Sequence, residues 1–293
     1  MDYKIVVDTG GDFTQELVEE LGLEVLPIMI MDDKKEYRDG IDIFPEEFFK
    51  RMKEGTVFKT AQIPLYTYLE CFKKYAERGE KVICIVLSSG LTSAIETAKL
   101  AANAVREEYP DFDISLVDSK AATGGIILIV KELLRRKEEF PKKEDAVRYL
   151  EFLTSRIRHL FIVDDLQYLY RGGRLSKLGF VVGGALNVKP LLTITEEGEL
   201  KSFQKARGTK AAISKIVDTF DKDMEGIDFK ESLISLLYGA DKDLVNILEE
   251  ELSKRHGDLN LMISQLGPTI GAHIGPEFTA LNYLKMNPDE FKI

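Results

Sequence analysis

The chain has 293 residues, 44% of them hydrophobic, with a formal charge of −10 and a pI near 5.1. That length and apolar content can bury two sizeable cores or one very large one. The acidic balance excludes the clustered basic surface that a nucleic-acid partner demands and reads as a solvated exterior.

Tyr3 to Asp8, "YKIVVD", reads as a strand, followed by the polar turn "DTGGDF" and an amphipathic helix, "DFTQELVEELG", closed by Gly22. "EVLPIMIM" reads as a second strand, in which Pro27 favours an edge or a bulge. "PEEFFKRMKEG" and "LYTYLECFKKYAERG" are helices ending at glycines suited to a left-handed cap, and the polar turn "FKTAQIP" places Thr60 ahead of the second. A strand from Lys81 to Leu87, a helix from Ser93 to Glu108, a strand from Ile114 to Val117 and a helix from Ile126 to Lys137 continue the alternation. Such alternation implies a mainly parallel sheet with flanking helices.

The charged stretch "EEFPKKED" leads into a helix, and "LFIVDDL" after it reads as a strand. Then "PLLTITEEGELKSFQKARG" brings two alternating runs about an "EEGE" turn, a hairpin signature. A helix (Thr209 to Phe220), the strand "SLISLLYG", a helix (Asp241 to Lys254) and the strand "LNLMISQLG" complete the second half. The expected fold class is therefore α/β in two domains: residues 1–165 with a mainly parallel sheet, and residues 166–293 with a mixed or antiparallel sheet.

Cys71 and Cys84 form neither a disulfide framework nor a CxxC site and read as core thiols. His159 and His256 follow charged helical patterns and are expected to face solvent, whereas His273 lies in a loop between glycines. Histidines so dispersed make a metal site improbable, and none is expected. "MDYKIVVDTGG" lacks the features of a signal peptide and no apolar run reaches the ~20 residues that span a bilayer, so a cytoplasmic location is expected.

The turn "SSGLTSA" joins a strand to a helix N-terminus, where unsatisfied N–H groups and the positive dipole end favour an anion. Ser88, Ser89, Thr92 and Ser93 add hydroxyl donors there, in the crevice where open α/β sheets hold ligands. The plainer alternative makes Thr92 or Ser93 only a helix cap. Neither GxGxxG, GxxxxGK[ST] nor GxSxG is present, which removes the signatures of dinucleotide, P-loop and serine-hydrolase sites. Arg171, Arg174 and Arg207 sit in glycine-rich loops, where each guanidinium is either a surface ion-pair partner or a bidentate anion contact.

Taken in order, "DTGGDF", "KTAQIP", "SSGLTSA", "VDSKAATGG", "LYRGGRLS", "LNVKP", "KARGTKAA" and "HIGP" resemble the DegV family, the fatty-acid-binding proteins that serve bacterial fatty acid kinase. The resemblance covers nearly the whole chain. It implies two α/β domains with a long-chain fatty acid buried in one and its carboxylate near their interface. Thr60 matches the threonine of the family's TSQPS motif and Thr92 the first serine of its SGT tripeptide, both carboxylate ligands. The backbone N–H of Ser93 stands where the family has glycine, and His273 matches the histidine of HxGPG beside the head group. Arg174 (GGR) and Arg207 (KxRG) match arginines implicated in acyl-phosphate formation with the kinase, with Arg171 a neighbour.

The same resemblance implies a non-catalytic protein of phospholipid metabolism. It would need no cofactor, present its ligand to a separate ATP-dependent kinase, and make at most transient contact with a membrane. Three departures bear on the head group. "SGT" is Thr92-Ser93-Ala94, "TSQPS" is "TAQIP", and Glu277 replaces a glycine; a pocket-facing Glu277 would repel a carboxylate, so either it points outward or the head group differs. Two other classes stay open: a hydrolase or acyltransferase using Ser89, Thr92 or Ser93 with His273 as base, and a small-anion sensor.

Overall fold

The computed structural model describes residues 1–174, 188–287, 290 and 291. The end of the "LYRGGRLS" motif and the start of "LNVKP" lie outside the described residues. In chain order the first elements are β1 (Tyr3–Asp8), α1 (Gln15–Leu21), β2 (Glu24–Leu26), β3 (Met29–Met31), β4 (Glu36–Arg38), α2 (Pro45–Lys53), β5 (Lys59–Ala61), α3 (Leu65–Ala76), β6 (Lys81–Val86), α4 (Ala94–Glu108), β7 (Ile114–Asp118), α5 (Gly124–Arg135) and α6 (Lys143–Arg156). There follow β8 (Ile157–Val163), α7 (Gln167–Arg171), β9 (Val188–Ile194), β10 (Leu200–Arg207), α8 (Thr209–Asp223), β11 (Ile234–Tyr238), α9 (Asp243–His256), β12 (Leu261–Gln265), α10 (Pro268–Ile274) and β13 (Phe278–Leu284).

The first sheet has the order β2-β1-β6-β7 and is parallel throughout, as the strand–helix alternation implies. Its strands are nearly continuous apolar runs because helices cover both faces: Val82 to Val86 are all buried. Pro27 does more than bend one strand. It separates β2, in this sheet, from β3, which pairs antiparallel with β4 and β5 in a small sheet of its own. "FKTAQIP" is accordingly not a turn but contains β5, with Thr60 opposite Ile30.

The second sheet, β10-β9-β8-β13-β11-β12, is mixed: β11 and β12 run parallel and the other pairs antiparallel. Two of its strands depart from the sequence reading. β8 falls before residue 165, yet it hydrogen-bonds to β13 and β9, so the change of sheet comes between Arg156 and Ile157. β13, absent from the expected elements, is buried along its whole length between β8 and β11. One face of this sheet, with Leu160, Ile162 and Leu281, packs under α8 and α9. The other, with Phe161, Ala280 and Leu237, joins the core shared with the first sheet. Between the sheets lies α5, buried from Gly124 to Val130 and packed on β8, β11 and β13.

Candidate functional site

A cavity of about 270 Å³ opens where the two sheets and the small sheet meet. Its apolar wall includes Phe161, Leu169, Ile194, Leu200, Phe278 and Ala280, and its polar lining includes Thr60, Gln62, Thr92, Ser93, Arg174 and His273. Most of these polar groups are linked by contact. Thr60 Oγ1 lies 2.8 Å from His273 Nε2, and Ser93 Oγ donates to Gln62 Oε1 at 3.1 Å. The Arg174 guanidinium donates to the Leu91 carbonyl at 3.3 and 3.4 Å, one residue from Thr92, and to the Gly172 carbonyl at 2.5 Å.

The turn "SSGLTSA" divides its work. Ser88 and Ser89, expected to offer hydroxyls to a ligand, are used by the protein: Ser88 Oγ donates to the Gly198 carbonyl of the β9–β10 turn at 2.8 Å, and Ser89 Oγ accepts from Lys120 Nζ at 3.2 Å. Thr92 and Ser93 are the ones that line the cavity. Thr92 Oγ1 accepts from the Ala94 N–H at 3.3 Å, which leaves its own hydrogen available to an anion. Ser93 occupies the cap position of α4 without making a side-chain cap bond. Its hydroxyl turns towards Gln62, and both residues are exposed at the rim of the cavity.

His273 sits in the last turn of α10 rather than in a loop. Burial, with the charge of Arg174 adding to it, pushes its pKa down to about 4, so at neutral pH the ring is uncharged. With the proton on Nε2, His273 donates to Thr60 and frees the Thr60 hydroxyl hydrogen for a ligand oxygen. Arg174 supplies the positive charge. It is half-buried, burial lowers its pKa, and no carboxylate pairs with it among the described residues. Glu277 is exposed and outside the cavity lining, which answers the question its position raises.

Arg171 and Arg207 are not brought into the cavity. Arg171 is exposed and donates to Gln167 Oε1 at 3.1 Å, while Arg207 lies exposed at the end of the edge strand β10. The hydrolase reading loses its hydrogen bond: among the described residues His273 pairs with Thr60, not with Ser89, Thr92 or Ser93, and its Nδ1 has no orienting partner. No group of three or more metal-ligating side chains occurs among the described residues.

Several positioning groups were given no role by the sequence, although Asp8 and Thr123 fall within "DTGGDF" and "VDSKAATGG". Asp8 accepts from the Leu87 N–H at 2.8 Å and the Gly10 N–H at 3.0 Å, tying the turns after β1 and β6 together; burial raises its pKa to about 6. Asp39, raised to about 7 by burial, accepts from Thr269 N and Oγ1 at 3.1 and 2.5 Å and so holds the start of α10. Thr123, in the cavity wall, has φ 54°, a left-handed value rare for a β-branched residue. Its N–H donates to the Gly10 carbonyl at 2.6 Å.

A family model described as an uncharacterised protein family, DegV, matches residues 2–286. A DegV domain-containing protein of Caldanaerobacter subterraneus subsp. tengcongensis is 36% identical over 273 residues, covering 93% of this chain and 95% of the relative. The chain belongs to the DegV family. Among solved structures, a stearic-acid-binding protein from Eubacterium ventriosum is similar at 27% identity and a TM-score of 0.88, with 96% of this chain and 98% of that one covered. A fatty-acid-binding DegV family protein from Thermus thermophilus is similar at 29% identity and a TM-score of 0.86, with coverages of 97% and 100%. No helix among the described residues is long and apolar enough to cross a membrane.

Proposed function

We propose that this DegV chain binds a long-chain fatty acid in the cavity between its sheets and presents the carboxylate to a separate ATP-dependent kinase for acyl-phosphate formation. The observation that carries the reading is the juxtaposition of Arg174, unpaired with any described carboxylate, and the Thr60–His273 pair in one apolar-walled cavity. A half-buried cation beside the hydroxyls of Thr60 and Thr92 favours a monoanion, and the wall behind them favours a hydrocarbon. The fatty acids bound by the similar Eubacterium and Thermus proteins support the same ligand class.

Magnitudes divide the labour. Burying ~14 methylenes at ~0.8 kcal/mol each contributes on the order of 11 kcal/mol before ordering costs, whereas a charged hydrogen bond adds about 1.5–3 kcal/mol. The chain therefore supplies affinity, and Thr60, Thr92, the Ser93 backbone and His273 fix its register. In this proposal Arg174 neutralises the charge that grows as the carboxylate is phosphorylated, Arg207 and Arg171 contact the phosphate or the kinase, and the protein works in the cytoplasm without a cofactor. Exchange of ligand at a membrane surface belongs to the same reading; Val57, Leu65 and Tyr66, exposed and apolar, flank the segment that carries Thr60.

The test is a labelled long-chain fatty acid added to the purified chain, followed by a bacterial fatty acid kinase and ATP. Saturable uptake with acyl phosphate forming only when all components are present supports both halves. Uptake without acyl phosphate would remove the presentation role, and no uptake would remove the ligand.

A further inference from the structure

A polar row crosses the inward, largely apolar face of the second sheet. Asn282 of β13 stands opposite His159 of β8 on one side and Ser235 of β11 on the other. The three are 1%, 2% and 0% exposed. Among the described residues His159 Nδ1, Ser235 Oγ and both amide atoms of Asn282 have no hydrogen-bond partner. His159 and Asn282 line the cavity, beyond the apolar row of Phe161 and Ala280. Strand geometry puts Asn282 about 13 Å from Phe278, four residues at ~3.3 Å each. Buried polar atoms in folded proteins are almost always paired, so three unpaired ones in one cavity wall, with Ser235 Oγ beside them, need an explanation.

We propose that this row is a second polar subsite, which selects a long-chain fatty acid carrying a neutral oxygen, a hydroxyl or keto group, along its chain; the proposal rests on the fatty-acid reading above. The amide of Asn282 can donate to and accept from such an oxygen, and the imidazole of His159 offers one more ring nitrogen. A second carboxylate does not fit. Burial holds the His159 pKa down at about 4, so the row carries no cation, unlike the Arg174 region. The row is also fixed in place. A Cβ on Gly124 would come within 2.1 Å of Ser235 Oγ, and one on Gly125 within 2.1 Å of His159 Nε2, so the first turn of α5 presses directly on it.

The experiment is a competition series on the full chain, with octadecanoic acid against its positional monohydroxy and monoketo derivatives. One substituted position, or two adjacent ones, should bind about two- to tenfold more tightly than octadecanoic acid, the range of one added neutral hydrogen bond. Hydroxy and keto arms separate a donor from an acceptor requirement. In Asn282→Leu the ratio of substituted to plain acid affinity should fall below one. The wild-type series needs no variant, so a poorly folding Asn282→Leu leaves the test intact. Uniformly weaker binding of every substituted acid by the wild type would overturn the subsite, as would a positional preference that survives in Asn282→Leu. Failure of the wild type to bind plain and substituted acids alike would instead overturn the fatty-acid reading on which the subsite depends.

Discussion

Thr60 and His273 lie 213 positions apart in sequence and 2.8 Å apart in space, one on a strand of the small sheet and the other on a helix held by Asp39. The contact joins the two halves of the chain at the polar lining of the cavity. Thr60→Val keeps the shape and removes the hydroxyl. Fatty-acid affinity should fall about tenfold or more, as for a lost charged hydrogen bond, while a fatty acid methyl ester should bind with nearly unchanged affinity. Equal losses for acid and ester would mean that Thr60 packs rather than recognises.

Arg174 and Arg207 should separate by assay. Arg174 lines the cavity and Arg207 does not, so Arg174→Gln should weaken fatty-acid binding and shift selectivity from the acid towards the alcohol. Arg207→Gln should retain binding and lower acyl-phosphate yield with the kinase. Retained yield in Arg207→Gln would remove its proposed role.

Gly90 tests how the turn after β6 is seated. A Cβ there would lie 2.1 Å from the Gly198 backbone carbonyl, which cannot yield as a side chain can. Gly90→Ala should cost about 1–3 kcal/mol, read as a lower denaturation midpoint, and should weaken ligand binding by displacing Thr92. A variant as stable as the parent would show that the β9–β10 turn moves freely.

Stability should depend on pH through Asp39. Its pKa is raised to about 7 from an unfolded value near ~3.9, so the folded chain holds a proton that the unfolded chain releases between these values. The stabilisation is complete on the acid side and is lost as pH rises through 7. Asp12, raised by burial and by the Asp39 charge, acts in the same sense. His159 and His273, lowered to about 4, act in the opposite sense but only below ~6.5. Between pH 6.5 and 8.5 the melting temperature should therefore fall, with a shallower slope in Asp39→Asn. An unchanged slope in that variant would exclude Asp39 as the source.

The parallel first sheet and the β9–β10 hairpin were legible because period, turn chemistry and burial agree there. The turn "SSGLTSA" was legible as a site because hydroxyls crowd the end of an apolar strand. β13 was not. "FTALNYL" is buried on both faces, so it lacks alternation, and its Thr279 and Asn282 break the apolar run. His159 misled because Arg156 and Arg158 precede it, yet it points to the inward face of the sheet and is 2% exposed rather than solvent-facing. His256, also expected in solvent, is partly buried, packed edge-on against Phe220 and Phe229 and 2.7 Å from Asp221 Oδ1. Asp39 and Thr269 are 230 positions apart, and no local pattern links them.

The most direct measurement is native mass spectrometry of the purified chain, with organic extraction of whatever it carries. One long-chain fatty acid per chain, lost or reduced in Arg174→Gln, is the predicted result. A chain that carries no lipid and takes up no labelled fatty acid would contradict the account.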